Sequence, residues 1–340
     1  MGKIRVGVIG VGHLGKFHVE KYARMAEADL VGIAEIDPVR REAIAGQYRV
    51  DGFEDFRQLI PLVDAVSIVV PTTLHTTVAT EFLKNKIDVL IEKPISPSLD
   101  EAEGLIRLAQ DYDCLLQIGH LERFNPAFLK IRHHITTPLF IESHRLSPFK
   151  FRGTDVDVIL DLMIHDLDLI LHLVGSLPQQ VHAVGIPVIS PRVDIANVRL
   201  QFQNGCVANI TASRISLQEM RKMRIFQPGA YISTDFSLKS YTVVRLEPKE
   251  DRTLPQFMAE NGTVDSGDAL EMELHSFIEA VRARSEPAVT GEDGKRALAM
   301  ALRINEEIEK NFKLVGPLPE AQFLLNGLEG IVPSGDSGGF

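Results

Sequence analysis

The chain has little cysteine, with only Cys114 and Cys206 among its 340 residues, far apart and in no metal-ligand spacing. This content argues against a disulfide framework and is typical of a protein of the reducing cytoplasm. The amino terminus shows no signal-peptide pattern, because its apolar run is short. No stretch approaches the roughly 20 uncharged apolar residues of a membrane-spanning helix. We therefore expect a cytoplasmic protein with no membrane contact and no metal site.

An excess of positive charge is also missing, since 36 Lys and Arg stand against 46 Asp and Glu, for a formal net charge of −10. This balance argues against a general nucleic-acid binder, whereas a small anionic substrate remains open because local arginines can override the average field. The length suffices for two domains with separate cores. The Gly- and Ser-rich end predicts a flexible tail at residues 331–340.

The first third of the chain alternates short apolar strands with helical stretches. Strands are predicted at residues 4–9, 30–33, 65–70, 88–91 and 115–118, with helices at 14–26, 38–47, 76–85 and 98–112. Strands that alternate with helices pair in parallel through right-handed crossovers. The pattern therefore predicts an α/β fold with a doubly wound parallel sheet in a first domain at residues 1–120.

The rhythm changes after about residue 120. A predicted helix at 157–174 precedes consecutive strands at 180–189, 195–203, 207–213, 223–228, 230–236 and 239–246, and helices at 266–284 and 292–312 follow. Strands without intervening helices predict a large, open, mainly antiparallel sheet in a second α/β domain at residues 121–330. Because such a sheet leaves one face for a partner, we expect a homodimer or homotetramer formed through it.

A glycine pattern stands between the first strand and the first helix. Gly10 permits a tight turn, Gly12 lets the backbone approach a pyrophosphate, and Gly15 allows close helix–strand packing. The helix N-terminus supplies amides and a positive dipole end for phosphates. The turn, with His13 and Leu14 inside it, therefore predicts a dinucleotide site. FAD and S-adenosylmethionine remain alternatives for the same fold.

Glu35 ends the second predicted strand, where a carboxylate accepts hydrogen bonds from ribose hydroxyls and repels a 2′-phosphate. This favours NAD over NADP, although Arg40 and Arg41 lie nearby.

Two loops follow strand ends at this same edge of the sheet, where open α/β sheets bind ligands. One contains Pro71, Thr72 and His75, and the other is Glu92-Lys93-Pro94. A lysine at the carboxyl end of a strand can point into the cleft. We expect both loops to contribute to the cofactor site.

The predicted helix at 157–174 is apolar nearly all round except for a narrow polar stripe. At about 100° per residue the stripe is about 80° wide, and it contains Asp157, Asp161, His165, Asp168 and His172. Buried carboxylates and imidazoles are costly unless they are paired. The stripe therefore predicts a reaction cleft.

Together these segments resemble the Gfo/Idh/MocA oxidoreductase family. The matching residues are the glycine pattern, the segment at 71–75, Glu92-Lys93-Pro94 and the spacing Asp161-x-x-x-His165-x-x-Asp168. The resemblance implies a Rossmann domain, an α/β domain with an open sheet and NAD-dependent oxidation of a sugar hydroxyl. It also implies that Lys93, Asp161 and His165 form the catalytic trio. His165 suits the role of base, Asp161 would orient it, and Lys93 would stabilise negative charge on the reacting oxygen.

Residues 119–128 and 143–170 resemble the branch of this family that acts on nucleotide sugars, especially at the 3-hydroxyl of UDP-N-acetylglucosamine for lipid A or surface-polysaccharide synthesis. A pyrophosphate requires cationic partners. Besides the trio, the predicted substrate residues are Arg152, Asp168, Arg214 and Arg221, with Lys150, Arg123, Asn125 and Arg224 as weaker candidates. Two alternatives stay open: a dehydrogenase of a free polyol such as inositol, and a non-catalytic dinucleotide- and sugar-binding sensor.

Overall fold

Two β-sheets organise the computed structural model, which describes residues 2–149, 156–247, 256–264 and 267–315. The predicted tail at 331–340 lies outside these residues, as does Arg152. Among the helices of these ranges, none combines the length and the apolar character needed to cross a membrane.

The first sheet has six parallel strands in the order β3-β2-β1-β4-β5-β6. Their bounds are Ile4–Ile9 (β1), Ala28–Ala34 (β2), Asp51–Phe53 (β3), Ala65–Ile68 (β4), Asp88–Glu92 (β5) and Leu116–Gly119 (β6). The order reverses between β1 and β4, as in a doubly wound sheet. This confirms the predicted architecture, and the missed strand, β3, is too short to produce a periodic pattern.

Four helices connect these strands, and local sequence explains where two of them begin. They are Gly15–Arg24 (α1), Pro38–Tyr48 (α2), His75–Lys84 (α3) and Leu99–Asp111 (α4). Asp37 caps α2 by accepting from the amides of Val39 and Arg40, and a proline at the first helical position fits this start. The hydroxyl of Ser98 caps α4 in the same way.

The second sheet has eight strands in the order β14-β13-β12-β11-β7-β10-β9-β8. They are Phe140–Leu146 (β7), Pro178–Ile186 (β8), Ile195–Phe202 (β9), Val207–Ser213 (β10), Met220–Gln227 (β11), Ala230–Asp235 (β12), Ser240–Glu247 (β13) and Gln256–Thr263 (β14). Only β7 and β10 pair in parallel among these strands. The predicted mainly antiparallel sheet is therefore confirmed. The sequence predicts neither β7 nor β14. Strand β7 turns Ser143 and Arg145 inwards, so its buried face is not apolar, and β14 is an edge strand whose residues are mostly exposed.

Helices cover one face of this sheet. In chain order these are Pro126–Ile131 (α5), Ile164–Val174 (α6), which continues a π-helical turn at Ile159–Met163, and Gly291–Val315 (α8). Between α6 and α8 in the chain lies a further helix, Ala269–Ala283 (α7). Leu167 and Ile170 of α6 and Ile304 of α8 pack in one core with the inward residues of the strands. The opposite face is open, and the rings of Phe140 and Phe226 stack there with centroids 5.5 Å apart.

Helix α7 belongs to the second half of the chain but packs on the first sheet. Its Leu274 and Phe277 are fully buried in the same core as Val6 and Val8 of β1. The division into units at residue 120 stays a prediction. The structure adds that the two halves of the chain share a core through α7.

The packing of α7 buries an ionisable side chain. Glu273 is 0% exposed, and neither carboxylate oxygen has a hydrogen-bond partner in the part of the chain that the structure describes. Burial raises the pKa of this carboxyl well above its usual value, and the negative charges of Glu92 and Asp168 act in the same direction. The folded protein therefore retains this proton where an exposed glutamate would lose it.

This buried carboxyl predicts a loss of stability as pH rises. Above about pH 4.5 the unfolded chain releases the Glu273 proton, whereas the folded chain must either keep it or bury a charge. We expect the Tm of Glu273→Gln to exceed that of the unsubstituted protein by a margin that grows from about pH 5 to pH 8. Glu271→Gln, at an exposed position of the same helix, is the control. Its difference in Tm from the unsubstituted protein should be the same from pH 5 to pH 8. A margin independent of pH in Glu273→Gln would contradict the account.

Candidate active site

The glycine turn after β1 has the shape that a dinucleotide requires. Gly10 has φ +83°, and a Cβ there would lie 2.8 Å from the carbonyl oxygen of Val69. A Cβ on Gly15 would lie 1.9 Å from the Gly10 oxygen, whereas the nearest atom to one on Gly12 is 3.8 Å away, on Arg40. The backbone is therefore tight on its inner side and open over Gly12, where a pyrophosphate can approach.

The amino-terminal end of α1 lies at this turn and has no side-chain cap. Leu14 stands at its cap position without a side-chain hydrogen bond and is 36% exposed. The ring of His13 stands edge-on to Phe17, with centroids 5.9 Å apart. The positive dipole end of α1 suits a phosphate group at this turn.

The carboxylate of Glu35 is buried at the end of β2 and is oriented by the backbone. One oxygen accepts from the amide of Val11 at 3.0 Å and the other from that of Asp37 at 3.1 Å. The Arg40 guanidinium donates to the first oxygen at 3.3 Å. The residues around this turn therefore fit an adenosine ribose held by a fixed acceptor, with Arg40 at its side.

The loops after β4 and β5 are joined by His75. Its two ring nitrogens lie 2.9 Å from the carbonyl oxygens of Pro94 and Val70, and burial lowers its pKa. Pro71 and Thr72 begin the short helical turn that precedes this side chain. His75 therefore fixes the position of the loop that contains Lys93, which differs from the direct cofactor contact that the sequence predicts.

Glu92 is turned into the first domain. One oxygen lies 3.1 Å from His18 Nε2, and the other accepts the Lys93 amide at 3.3 Å. A Cβ on Gly119 would lie 2.9 Å from this carboxyl group, so a larger residue there would displace it. Glu92 therefore orients Lys93 through its amide, whereas the sequence predicts a direct contact of Glu92 with the cofactor.

Lys93 extends from the first domain to the helix of the second. Its ammonium group donates to the carbonyl oxygen of Asp161 at 2.7 Å and lies 3.8 Å from the Asp161 carboxylate. Burial lowers the pKa of this ammonium, while the charges of Asp161 and Glu92 act in the opposite direction. The structure thus brings Lys93 and Asp161 together across 68 residues of chain.

The polar stripe predicted for residues 157–174 is not a single stripe. Residues Ile159–Met163 form a π-helical turn, so a constant 100° per residue does not apply. Asp161 and His165 are partly exposed, whereas Asp166 and Asp168 are buried and His172 is exposed on the surface. Asp157 accepts from the amides of Ile159 and Leu160, as an N-cap does. Of the predicted stripe, Asp161 and His165 remain next to Lys93.

His165 lies in a cationic environment. Its Nδ1 is buried without a hydrogen-bond partner among the residues that the structure covers. Burial lowers the pKa of the imidazole well below its usual value, and Lys93, Arg145, His120 and Arg221 lower it further. A histidine held neutral in this way can accept a proton near neutral pH.

Sequence reasoning missed His120, which is 1% exposed. Burial lowers the pKa of this imidazole, and the nearby charges of Asp168, Arg123 and Lys93 also act on it. It directly follows β6, so the criterion that selected Lys93, a side chain at the carboxyl end of a parallel strand, could have found it.

Two predicted substrate residues have other partners. Both Asp168 oxygens accept from the Arg123 guanidinium, at 2.7 and 2.6 Å. Arg214 is 4% exposed and donates to Asp194 at 2.9 Å and to the Val156 carbonyl at 2.8 Å. Because these groups are engaged and buried, the structure corrects the expectation that they bind substrate.

Arg221 and Arg224 lie on opposite faces of β11. Arg221 shares the face of Met223, which is buried beneath the helices, and its guanidinium is 2.9 Å from Glu219 with the side chain 42% exposed. Arg224 pairs with Glu142 on the open face. Arg221 therefore remains available to a ligand beside His165. In the ranges that the structure covers, no group of three or more His, Cys, Asp or Glu side chains could hold a metal ion.

Comparison with known proteins assigns the class. Residues 4–120 match the model of an oxidoreductase family with an NAD-binding Rossmann fold, and residues 132–228 match the GFO/IDH/MocA C-terminal domain. The chain belongs to the Gfo/Idh/MocA family. It is accordingly an NAD-dependent dehydrogenase that acts on CH–OH groups of sugars, as the sequence predicts.

The chain is similar to several individual dehydrogenases. The chain is 38% identical over 307 residues to UDP-N-acetylglucosamine 3-dehydrogenase of Acidithiobacillus ferrooxidans, covering 90% of this chain and 97% of the relative. A solved structure of that enzyme superposes with a TM-score of 0.85, over 91% of this chain and 99% of the other. Myo-inositol 2-dehydrogenase of Thermotoga maritima is 27% identical, over 90% and 97% of the two chains. The scyllo-inositol dehydrogenase of Lactobacillus casei, solved with NAD(H), is 21% identical with a TM-score of 0.76 over 91% and 98% of the two chains, and shares the fold.

The geometry at Glu35 predicts how the cofactor preference can be changed. Substitution Glu35→Gln removes the charge that repels a 2′-phosphate and releases Arg40, which then can pair with that phosphate. We expect NADP affinity to rise about tenfold relative to NAD affinity, measured by calorimetric titration with each dinucleotide. Glu35→Gln combined with Arg40→Met is the control and should lose most of the gain. An unchanged ratio in Glu35→Gln would contradict this role of the carboxylate.

Proposed function

We propose that the protein oxidises UDP-N-acetylglucosamine at the 3-position of its sugar ring to the 3-keto sugar, with NAD as the hydride acceptor. The observation that carries the proposal is the 2.7 Å contact of the Lys93 ammonium with Asp161, one helical turn before His165. This contact supports a site in which the Lys93 cation and the His165 imidazole, whose pKa Lys93 helps to lower, act together at the carboxyl ends of the strands of the first sheet. The 38% identity to an enzyme of that name supports this substrate.

The residues of the trio divide the reaction between them. The chemistry that bound NAD supplies is acceptance of a hydride from the alcohol carbon. His165 takes the hydroxyl proton, since its lowered pKa keeps it in the basic form. The Lys93 ammonium donates a hydrogen bond to the same oxygen and stabilises its developing negative charge. The Asp161 carboxylate, 3.8 Å from Lys93, keeps that ammonium protonated and positioned.

The nucleotide moiety requires a cation outside the trio. Arg221 meets this requirement because its guanidinium is partly exposed and faces the helix-covered side of the sheet. Among the described residues, its one ion-pair partner is the carboxylate of Glu219. A pyrophosphate can replace Glu219 as its partner. Arg152 stays a prediction for the same role.

A free polyol such as an inositol is the second candidate substrate. The inositol dehydrogenases among the relatives favour it, and it would use the same trio without Arg221. The sensor alternative is set aside, because the chain is a dehydrogenase by family.

We further propose that the enzyme works in the cytoplasm, where its product supplies an amino sugar for lipid A or a surface polysaccharide. We also propose that it forms a homodimer or homotetramer. The open face of the second sheet supports the assembly, since the aromatic rings of Phe226 and Tyr231, 5.2 Å apart, cover part of it. Light scattering gives the mass in solution, and a monomer at all concentrations would contradict an assembly.

Removing the side chain of His165 or Lys93 should strongly lower turnover without loss of NAD binding. We expect His165→Ala and Lys93→Met each to lower kcat by about 10²–10⁴-fold, because proton transfer and oxyanion stabilisation are lost. NADH formation with UDP-N-acetylglucosamine measures kcat, and calorimetry measures NAD affinity, which should stay within about threefold. Wild-type turnover in either variant would rule out the assigned role of that residue.

Arg221 distinguishes the two candidate substrates. Arg221→Ala should raise the KM for UDP-N-acetylglucosamine about tenfold or more, since a charge-assisted contact to phosphate is lost. The KM for myo-inositol, if it is turned over, should not change. Arg282→Ala, on α7 and paired with Glu279 at 2.7 Å, serves as the matched control. An unchanged KM for the nucleotide sugar would count against its recognition by Arg221.

A further inference from the structure

Two adjacent residues of opposite charge are buried just after the last strand of the first sheet. Glu122 and Arg123 lie in the helical turn Leu121–Phe124, and each is 7% exposed. The proposed mechanism uses neither of them. Arg123 contacts the helix that contains His165 directly, and Glu122 reaches it through Arg145.

Arg123 binds the helix through Asp168. Its guanidinium makes two parallel hydrogen bonds to this carboxylate, at 2.7 and 2.6 Å. It also lies 3.3 Å from Asp293 of α8 and 3.1 Å from Nδ1 of His172. A bidentate pair of this kind fixes orientation as well as distance.

Glu122 binds the helix indirectly, through Arg145 of β7. The Arg145 guanidinium donates to Glu122 at 2.8 Å and to Asp166 at 2.7 Å. The Ser143 hydroxyl donates to the same Asp166 carboxylate at 2.8 Å, and Asn125 donates to Glu122 at 3.2 Å. The buried carboxylates are therefore satisfied from several elements.

These two contacts hold the helical turn of His165 from both sides, since Asp166 and Asp168 are the first and third residues after it. Burying charged groups is costly, and apolar residues of similar volume often serve stability as well or better. Leu167, Leu169 and Ile170 already anchor α6 in the apolar core. The ionic contacts add what apolar packing lacks, namely a fixed direction between α6 and the end of the first sheet.

We propose that Glu122 and Arg123 form a crossed ionic clamp, with Arg145, Asp166 and Asp168, that positions His165 relative to Lys93. The clamp residues act through His165 and are positioning residues. This inference rests on the proposed role of His165. In this proposal, the segment at 119–128 fixes the position of the helix that contains His165 relative to the first sheet.

The test replaces one arm of the clamp by apolar groups of similar size. In Arg123→Met with Asp168→Leu, no buried charge of this pair is left alone, and Asp293 keeps its bonds to Thr290 and to Arg296. We expect folding and NAD affinity to be retained. The amides of Ile164–Val174 should exchange with deuterium about tenfold faster, and kcat should fall about tenfold or more while KM changes little. Arg282→Met is the matched control and should change none of these quantities.

The outcomes separate the clamp from the proposed function. Unchanged exchange in α6 would overturn the clamp, and so would faster exchange with wild-type kcat. Exchange needs no substrate, so it reports on the clamp even if His165→Ala were active and the proposed base wrong. If the double variant does not fold, Arg123→Lys replaces it. That variant keeps the charge but loses the bidentate geometry, and the same changes in exchange and kcat are expected of it, with unchanged values again overturning the clamp.

Discussion

The contact of Lys93 with the main chain of Asp161 joins the two halves of the site. Lys93 is fixed from the first domain by Glu92 below it and by His75 beside it. Asp161 is presented by a π-helical turn of the second domain. A 2.7 Å hydrogen bond between them sets the distance from the cofactor edge to His165. The reaction proposed for the protein depends on this distance, because hydride and proton leave neighbouring atoms of one substrate.

Electrostatics around this contact are asymmetric. Burial and the positive charges of Lys93, Arg145 and Arg221 lower the pKa of the His165 imidazole. In the proposed reaction the same charges would stabilise a developing alkoxide. Carboxylates lie one layer further away, as Asp166 beside Arg145 and Asp168 beside Arg123. These two ion pairs keep their charged groups near the cleft but buried away from it. In the proposed reaction the residues around His165 would meet the substrate, and these ion pairs would hold them in place.

Much of this could be predicted from the sequence, and the failures have physical reasons. The glycine turn, the Glu92-Lys93 loop and the spacing of Asp161 and His165 are local patterns, and the doubly wound parallel sheet, apart from the short strand β3, followed from alternating strands and helices. The partners of Asp168 were not predictable, because Arg123 is 45 residues away in sequence. Nor could residue spacing reveal the π-helical turn, since the same letters fit an α-helix. The return of α7 to the first sheet depends on long-range packing, which periodicity does not contain.

The central claim is that Lys93 and His165 meet one hydroxyl of a nucleotide sugar at the cofactor edge. A crystal structure of the protein soaked with NAD and UDP-N-acetylglucosamine tests it most directly. The account predicts the sugar 3-hydroxyl within about 3.2 Å of both the Lys93 ammonium and an imidazole nitrogen of His165, with its carbon facing the nicotinamide. A sugar bound with another carbon towards the nicotinamide, or with no hydroxyl in reach of His165, would contradict it.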